Sequence, residues 1–167
     1  RWVRPSMNKA KAIVVPSGFL KEVFAKYGFE TKVVPNIINL ERFNARHRTS
    51  FDKHNPHIVI TRNLEAIYGL VTAIKAIAIV RQTVPNLKLS IAGSGPQLTE
   101  LEELVRTEQL ENSVFFTGKL TPEQVAKLYQ NADIMLNPTT VDNMPNSILE
   151  AMACGIAIVT TNVGGIP

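Results

Sequence analysis

The sequence predicts an α/β fold, a parallel sheet flanked by helices. Three observations carry this. From residue 57 to 161, short apolar runs alternate with stretches of helical period. The connections between them are short, which favours parallel pairing through crossovers. The apolar runs also lack strong alternation, as expected of strands covered on both faces.

In chain order, Ile13-Val14-Val15 reads as a short buried strand. Ser17 is placed to cap a helix in which Phe19, Leu20, Val23 and Phe24 share a face, and Gly28 is placed to end it. A strand at 32–34 and Pro35-Asn36 follow. Residues 44–56 are polar and without period, the composition of a linker. The regular part begins with the strand HIVIT (57–61). A helix is expected over 65–82, with Ile67, Leu70, Val71, Ile74, Ile77 and Ala78 inward. LKLSIAG (87–93) is a strand, and 96–109 a helix with Leu98, Leu101, Leu104 and Val105 inward. SVFFTG (113–118) is a strand. Residues 121–131 form a helix capped by Thr121 with Pro122 at its first position. DIMLNP (133–138) is a strand, 145–154 a helix, and IAIVTT (156–161) a strand.

A chain of 167 residues suits one domain, or one domain and part of another. With 45% hydrophobic and 19% charged residues it can bury a sizeable core. The net charge of +4 is uneven: residues 1–53 hold 11 Lys+Arg against four Asp+Glu, and 54–167 hold seven against ten. A basic first third fits anionic lipid, nucleic acid or a phosphorylated ligand, while scattered charges of this kind fit a solvated face better. Cys154 is the single cysteine, so no internal disulfide exists, and a reducing compartment is expected. His47, His54 and His57 cluster without metal-ligand spacing, and no metal site is expected. No apolar run is long enough to span a bilayer. The abrupt ends, RWVRPS and NVGGIP, are expected of a piece of something longer.

In parallel sheets, ligands bind beyond the carboxyl ends of the strands, near helix N-termini. That rule selects the loops holding Arg62, Gly93 to Pro96, Gly118 to Leu120 and Asn137 to Asn146. The stretch VDNMPNSILEAMACG is the richest. Asp142 lies in its loop and Glu150 on its helix, with Pro145 suited to the first helical turn. Free amides around Asn143 to Ser147 would offer donors and the positive end of a dipole to a phosphate. A helix carboxylate accepts hydrogen bonds from vicinal ribose hydroxyls, and a loop carboxylate does the same for a second polyol. A molecule with a diol at each end and a diphosphate between them, a nucleotide-sugar, fits this layout. The residues alone leave a second reading open: SILE (147–150) matches a capping box, with Ser147 as cap and Glu150 reaching back, and Asp142 as a turn aspartate. Arg62 can clamp the same diphosphate or be a surface arginine. AGSGP (92–96) is neither a GxGxxG fingerprint nor a Walker loop and reads mainly as tight-turn geometry.

PNSILEAMACGIAIVTTNVGGIP, preceded by Asp142, closely resembles the signature of the group 1 (family GT4) glycosyltransferases. LSIAGSGP, VFFTGKL, ADIMLNPT, ITRN and VPNIINLERF resemble other family segments in the right order. The resemblance implies half of a two-domain GT-B enzyme, a Rossmann-like sheet flanked by helices, retaining and dependent on a nucleotide-diphosphate sugar, UDP- or GDP-linked. By position, Glu150 would bind the ribose, Asp142 the transferred sugar, and Arg62 the diphosphate. Asn143, Met144, Pro145, Asn146 and Ser147 would supply amides to sugar and phosphate; Gly118, Lys119 and Leu120 would border the base. Residues 1–38 would be the tail of an acceptor domain, 39–56 an interdomain linker, and 57–167 an incomplete donor domain. No cofactor, metal or nucleic acid is implied. A glycan or lipid-linked acceptor would bind the other domain, at a cytoplasmic location compatible with peripheral membrane contact, and this chain alone would not transfer sugar. Three departures stand out: Asp142 where the family usually has Glu, Ile67-Tyr68-Gly69 where a phosphate lysine precedes a glycine, and PNIIN without the usual Gly and Asp. They keep a non-catalytic nucleotide-sugar-binding domain as an alternative. A UDP-sugar 2-epimerase of the same fold is another, though its cleft histidines are not seen.

Overall fold

The computed structural model describes residues 3–46, 52 and 54–167, and the side chains from residue 4 onward. The remainder of the linker stretch, 47–51 and 53, with His47, lies outside the described residues. The chain divides into two compact units: residues 1–37, 142–145 and 162–167, and residues 38–141 with 146–161.

The first unit holds helix α1 (Val3–Asn8), strand β1 (Val14–Val15), helix α2 (Gly18–Lys26) and strand β2 (Lys32–Val33). The two strands pair in parallel, Val14 against Lys32 and Val15 against Val33. Ser17 caps α2 as the sequence suggests, accepting from the Leu20 amide at 3.2 Å. The strand expected to be buried is buried at Val15 but not at Val14, which is 62% exposed. In α2, Leu20, Val23 and Phe24 are half-buried and Phe19 is exposed. Both differences have one cause: a two-stranded sheet with one long helix buries little of either face. The α1 helix carries no periodic apolar signal and was not foreseen.

The second unit holds a five-stranded parallel sheet, β3 (His57–Thr61), β4 (Lys88–Ala92), β5 (Val114–Gly118), β6 (Ile134–Asn137) and β7 (Ala157–Thr160), in the order β5-β4-β3-β6-β7. Helices α3 (Leu70–Arg81), α4 (Leu98–Thr107), α5 (Pro122–Gln130) and α6 (Asn146–Ala153) connect the strands. One core joins Ile58, Ile60, Leu89 and Ile91 to Leu70, Ile74 and Ile77 of α3 and Leu101 and Val105 of α4. A second joins Val59 and Met135 to Ala126 and Tyr129 of α5 and Ala151 and Cys154 beside α6, with Phe43 packed in. The chain builds outward from β3 through β4 to β5, then returns to place β6 on the other side of β3. The strand order therefore reverses between β3 and β6, and ligands of such sheets bind at that switch.

Two helices differ from expectation. The stretch 65–82 opens as a 3₁₀ turn, Ala66–Tyr68, and only then becomes α3. Gly69 separates the two in the left-handed region at φ 66°. A Cβ there would lie 2.2 Å from the Pro138 carbonyl oxygen, so close backbone approach forces both the glycine and the break. Ile67, expected inward, is consequently 44% exposed. Leu98, also expected inward, opens α4 and is 37% exposed, beyond the reach of the core its partners enter. Thr121 forms a full capping box with Gln124, and Pro122 takes the first turn. The outer strands β5 and β7 are only partly covered. Among the described residues no helix is long and apolar enough to cross a membrane.

Candidate functional site

The carboxyl ends of β3 and β6 meet at the switch. Arg62 follows β3, and its backbone amide continues the ladder to the Ala92 carbonyl at 3.0 Å. Its Nε donates to Asn137 Oδ1 at 2.9 Å, and Asn137, fully buried at the end of β6, donates through Nδ2 to Thr160 Oγ1 at 3.0 Å. The guanidinium carbon stands 5.1 Å from the centre of the Tyr68 ring. Arg62 is thus a fixed, half-buried cation; the surface-arginine reading is set aside.

The glycines of AGSGP have a structural duty. A Cβ on Gly93 would sit 1.9 Å from the Arg62 carbonyl oxygen, and one on Gly95 would sit 2.5 Å from that of Leu64. The Leu64 amide donates to the Ser94 carbonyl at 3.1 Å. The loop packs backbone to backbone behind Arg62, as tight-turn geometry requires.

Helix α6 begins at Asn146, which is exposed. Ser147 is buried, and its Oγ has no hydrogen-bond partner among the described residues. The capping box is therefore absent: Ser147 lies inside the first turn and its hydroxyl caps nothing. An orphaned buried hydroxyl is costly, and here it belongs to a helix N-terminus, where anions are favoured. Glu150 follows one turn later, half-buried. Desolvation pushes its carboxyl above the ordinary range, and the charge of Arg42 opposes the rise.

One residue ties these parts together. Tyr129, wholly buried on α5, donates its hydroxyl proton to the Ser147 carbonyl at 3.2 Å, leaving its oxygen to accept from Thr61 Oγ1. Thr61 adjoins Arg62, so the Tyr129 hydroxyl links the end of β3 to the first turn of α6. Burial raises its pKa well above the phenol range; Glu150 adds to the rise, while the Thr61 hydrogen bond and Arg62 oppose it. Arg42 also pairs with Glu123, Nε to Oε1 at 3.0 Å. Cys154 is fully buried, its thiol pushed up chiefly by burial. Gly118 ends β5 at φ 71° with open space around it, and Lys119 beside it is exposed.

Asp142, Asn143, Met144 and Pro145 belong to the first unit. There the Asp142 carboxylate accepts from the Asn143 amide at 2.7 Å. Ser17 Oγ donates to Asn143 Oδ1, and Asn36 Nδ2 donates to the Met144 carbonyl at 2.9 Å. The Gly-Gly turn fits beneath this loop: a Cβ on Gly164 would lie 1.8 Å from the Asp142 carbonyl oxygen, and one on Gly165 2.3 Å from that of Asn143. Met144 borders a cavity of about 490 Å³ with Ser17, Phe19, Glu22 and Pro35.

Of the residues singled out from sequence, Arg62 and Ser147 are thus linked through Thr61 and Tyr129 in the second unit, Glu150 acts on Tyr129 through its charge, and Asp142 to Pro145 form a loop of the first. Sequence reasoning gave Asn137 and Tyr68 no supporting role, though it named both, and it did not single out Tyr129 or Thr61. Asn137 had a signal, a polar residue closing an apolar strand. Among the described residues no cluster of three or more His, Cys, Asp or Glu is arranged to hold a metal ion.

Residues 41–167 match the family model described as "Glycosyl transferases group 1". Over 170 residues the chain is 23% identical to the alpha-monoglucosyldiacylglycerol synthase of Streptococcus pneumoniae, covering 94% of this chain and 38% of that protein. Over 111 residues it is 34% identical to the N-acetyl-alpha-D-glucosaminyl L-malate synthase of Bacillus anthracis, covering 66% of this chain and 28% of that protein. The fold is similar to that of Anabaena HepE, solved with UDP and glucose: TM-score 0.82 at 22% identity, over 98% of this chain and 47% of that one. The chain thus spans less than half the length of these relatives. It belongs to the group 1 glycosyltransferase family, with the α/β architecture of a GT-B domain.

Proposed function

We propose that this chain is chiefly the donor-binding part of a retaining glycosyltransferase that uses a nucleoside-diphosphate sugar. The observation that carries the reading is the set of groups at the strand-order switch: a fixed Arg62, the orphaned Ser147 hydroxyl at a helix N-terminus, and a Glu150 carboxylate held at a desolvation cost. The buried hydroxyl and the desolvated carboxylate are costly without a ligand, and all three groups have a use on a nucleotide-sugar. Glu150 accepts from the ribose hydroxyls. The α6 amides, Ser147 Oγ and Arg62 receive the diphosphate, and Gly118 to Leu120 border the base. Asp142 contacts hydroxyls of the transferred sugar, with Asn143 to Asn146 lining its approach. The UDP and glucose bound by the Anabaena neighbour are of this chemical class.

In the reaction, the bond from the anomeric carbon to the distal phosphate oxygen breaks. An acceptor hydroxyl oxygen bonds to that carbon from the same face, and its proton passes to the departing phosphate. Arg62 and the helix amides stabilise the charge that develops on the leaving group, so the scheme calls on no metal. On this reading residues 1–38 end an acceptor-side domain, 39–56 form the linker, and 57–167 bind the donor. A glycan or lipid-linked acceptor would meet the intact protein.

Calorimetric titration of the intact protein with UDP, GDP and ADP tests the reading. One nucleotide should bind, and Glu150→Ala should weaken it about 100-fold, the loss of two hydrogen bonds to a charged acceptor. Equal binding by the variant would overturn the role of Glu150, and absence of binding by all three would overturn the donor reading.

A further inference from the structure

Tyr68 has no charge of its own to offer a diphosphate, yet the fold gives its turn an unusual amount of support. The Ile67 carbonyl, one residue before it, accepts from the Thr140 amide at 2.8 Å, from Thr140 Oγ1 at 3.0 Å and from Thr139 Oγ1 at 3.1 Å. Gly69, one residue after it, is in the left-handed region against the Pro138 carbonyl, where no side chain fits. The 3₁₀ turn is thereby anchored on both sides of Tyr68 to the loop that follows β6. What the turn presents is one half-buried aromatic ring, with the Arg62 guanidinium over it at 5.1 Å.

We propose that Tyr68 is a positioning residue for Arg62 and, through it, a determinant of how strongly the site prefers a diphosphate to a monophosphate. Asn137 fixes the Nε edge, and the ring fixes the plane, because a cation is held over the negative face of a π-system. These two supports, Asn137 at the end of β6 and Tyr68 in a turn anchored to the loop after β6, both orient the charge of Arg62. A pre-organised cation loses less freedom when an anion arrives. The work rests in the π face, so the Tyr68 hydroxyl is dispensable. The inference depends on the donor reading above, in which Arg62 meets the diphosphate.

The experiment uses the intact protein and the nucleoside diphosphate that binds it among UDP, GDP and ADP, beside the matching monophosphate. Affinities are measured by calorimetry for wild type, Tyr68→Phe, Tyr68→Leu and Arg62→Ala, at a temperature where circular dichroism shows all four folded. Tyr68→Phe should bind both nucleotides as wild type does. Tyr68→Leu keeps an apolar side chain but no π face. It should lose about fivefold in diphosphate affinity, the scale of a partly exposed cation–π pair, with the monophosphate unchanged. A purely structural role would move both nucleotides or neither. Wild-type selectivity in Tyr68→Leu, with selectivity lost in Arg62→Ala, overturns the inference and leaves the donor reading intact. Selectivity retained in Arg62→Ala overturns the inference along with Arg62's place in that reading.

Discussion

The two ends of the second unit's sheet carry polar clusters of similar size and opposite character. At the amino ends, the His57 amide donates to Asp133 Oδ2 at 2.8 Å. Its ring Nδ1 donates to the Asn131 carbonyl at 3.1 Å, and Nε2 meets Ser90 Oγ at 2.8 Å. Both ring nitrogens and the strand's opening amide find partners inside the protein. At the carboxyl ends, a cation is fixed on two sides, a hydroxyl is buried without a partner, and a carboxylate is held against its preference. The contrast teaches how to read a polar cluster. The satisfied one closes the fold; the one left with an unpartnered hydroxyl and an electrostatic cost is arranged for a ligand.

The largest expected effect that sharpens this contrast is at Gly93. Alanine there would drive a Cβ into the Arg62 carbonyl at 1.9 Å, and should lower stability by more than about 3 kcal/mol in urea unfolding. Next comes Asp133→Ala. It strips the acceptor from the His57 amide and should cost about 1–3 kcal/mol while nucleotide affinity stays as in wild type; a loss of affinity would break the division between the two ends. Tyr129→Phe keeps the ring packed near Phe43 and removes the hydroxyl that links Thr61 to Ser147. It should cost about 1 kcal/mol and, unlike Asp133→Ala, also weaken nucleotide binding.

The smallest effect has the opposite sign. Glu150 has a raised carboxyl pKa in the folded protein. Its protonated form is therefore favoured by folding, and stability is lost as pH rises from the unfolded value through the folded one. At pH 7 the wild type bears that cost, and Glu150→Gln does not. The variant should melt slightly higher at pH 7, the gap closing below about pH 4, where the unfolded carboxyl is also protonated. Asp133→Ala loses stability and keeps binding, whereas Glu150→Gln gains stability and loses binding.

The scaffold around these residues was largely readable from sequence. Apolar runs such as HIVIT and LKLSIAG, separated by helical periods and a Thr121–Pro122 start, leave few alternatives to a parallel sheet. Arg62 was found because it closes a strand, and Glu150 because it follows a loop acid on a helix. What held them was not readable. Asn137 reaches Arg62 across 75 positions, and Tyr129 reaches Thr61 across 68; crossover connections bring such residues together without any local pattern. Tyr68 was hidden differently: the helical period ran through Ile67, and only the close passage of Pro138 shows why Gly69 breaks it. The capping-box reading of Ser147 to Glu150 failed for a similar reason, since the pattern does not reveal where the first turn begins.

The most direct measurement is a crystal structure of the intact protein with the nucleoside diphosphate that binds it. The account predicts ribose hydroxyls on the Glu150 carboxylate, and phosphate oxygens within hydrogen-bond distance of Arg62 and Ser147 Oγ. A nucleotide bound elsewhere, with the Ser147 hydroxyl still unpartnered and Arg62 touching no phosphate, would contradict it.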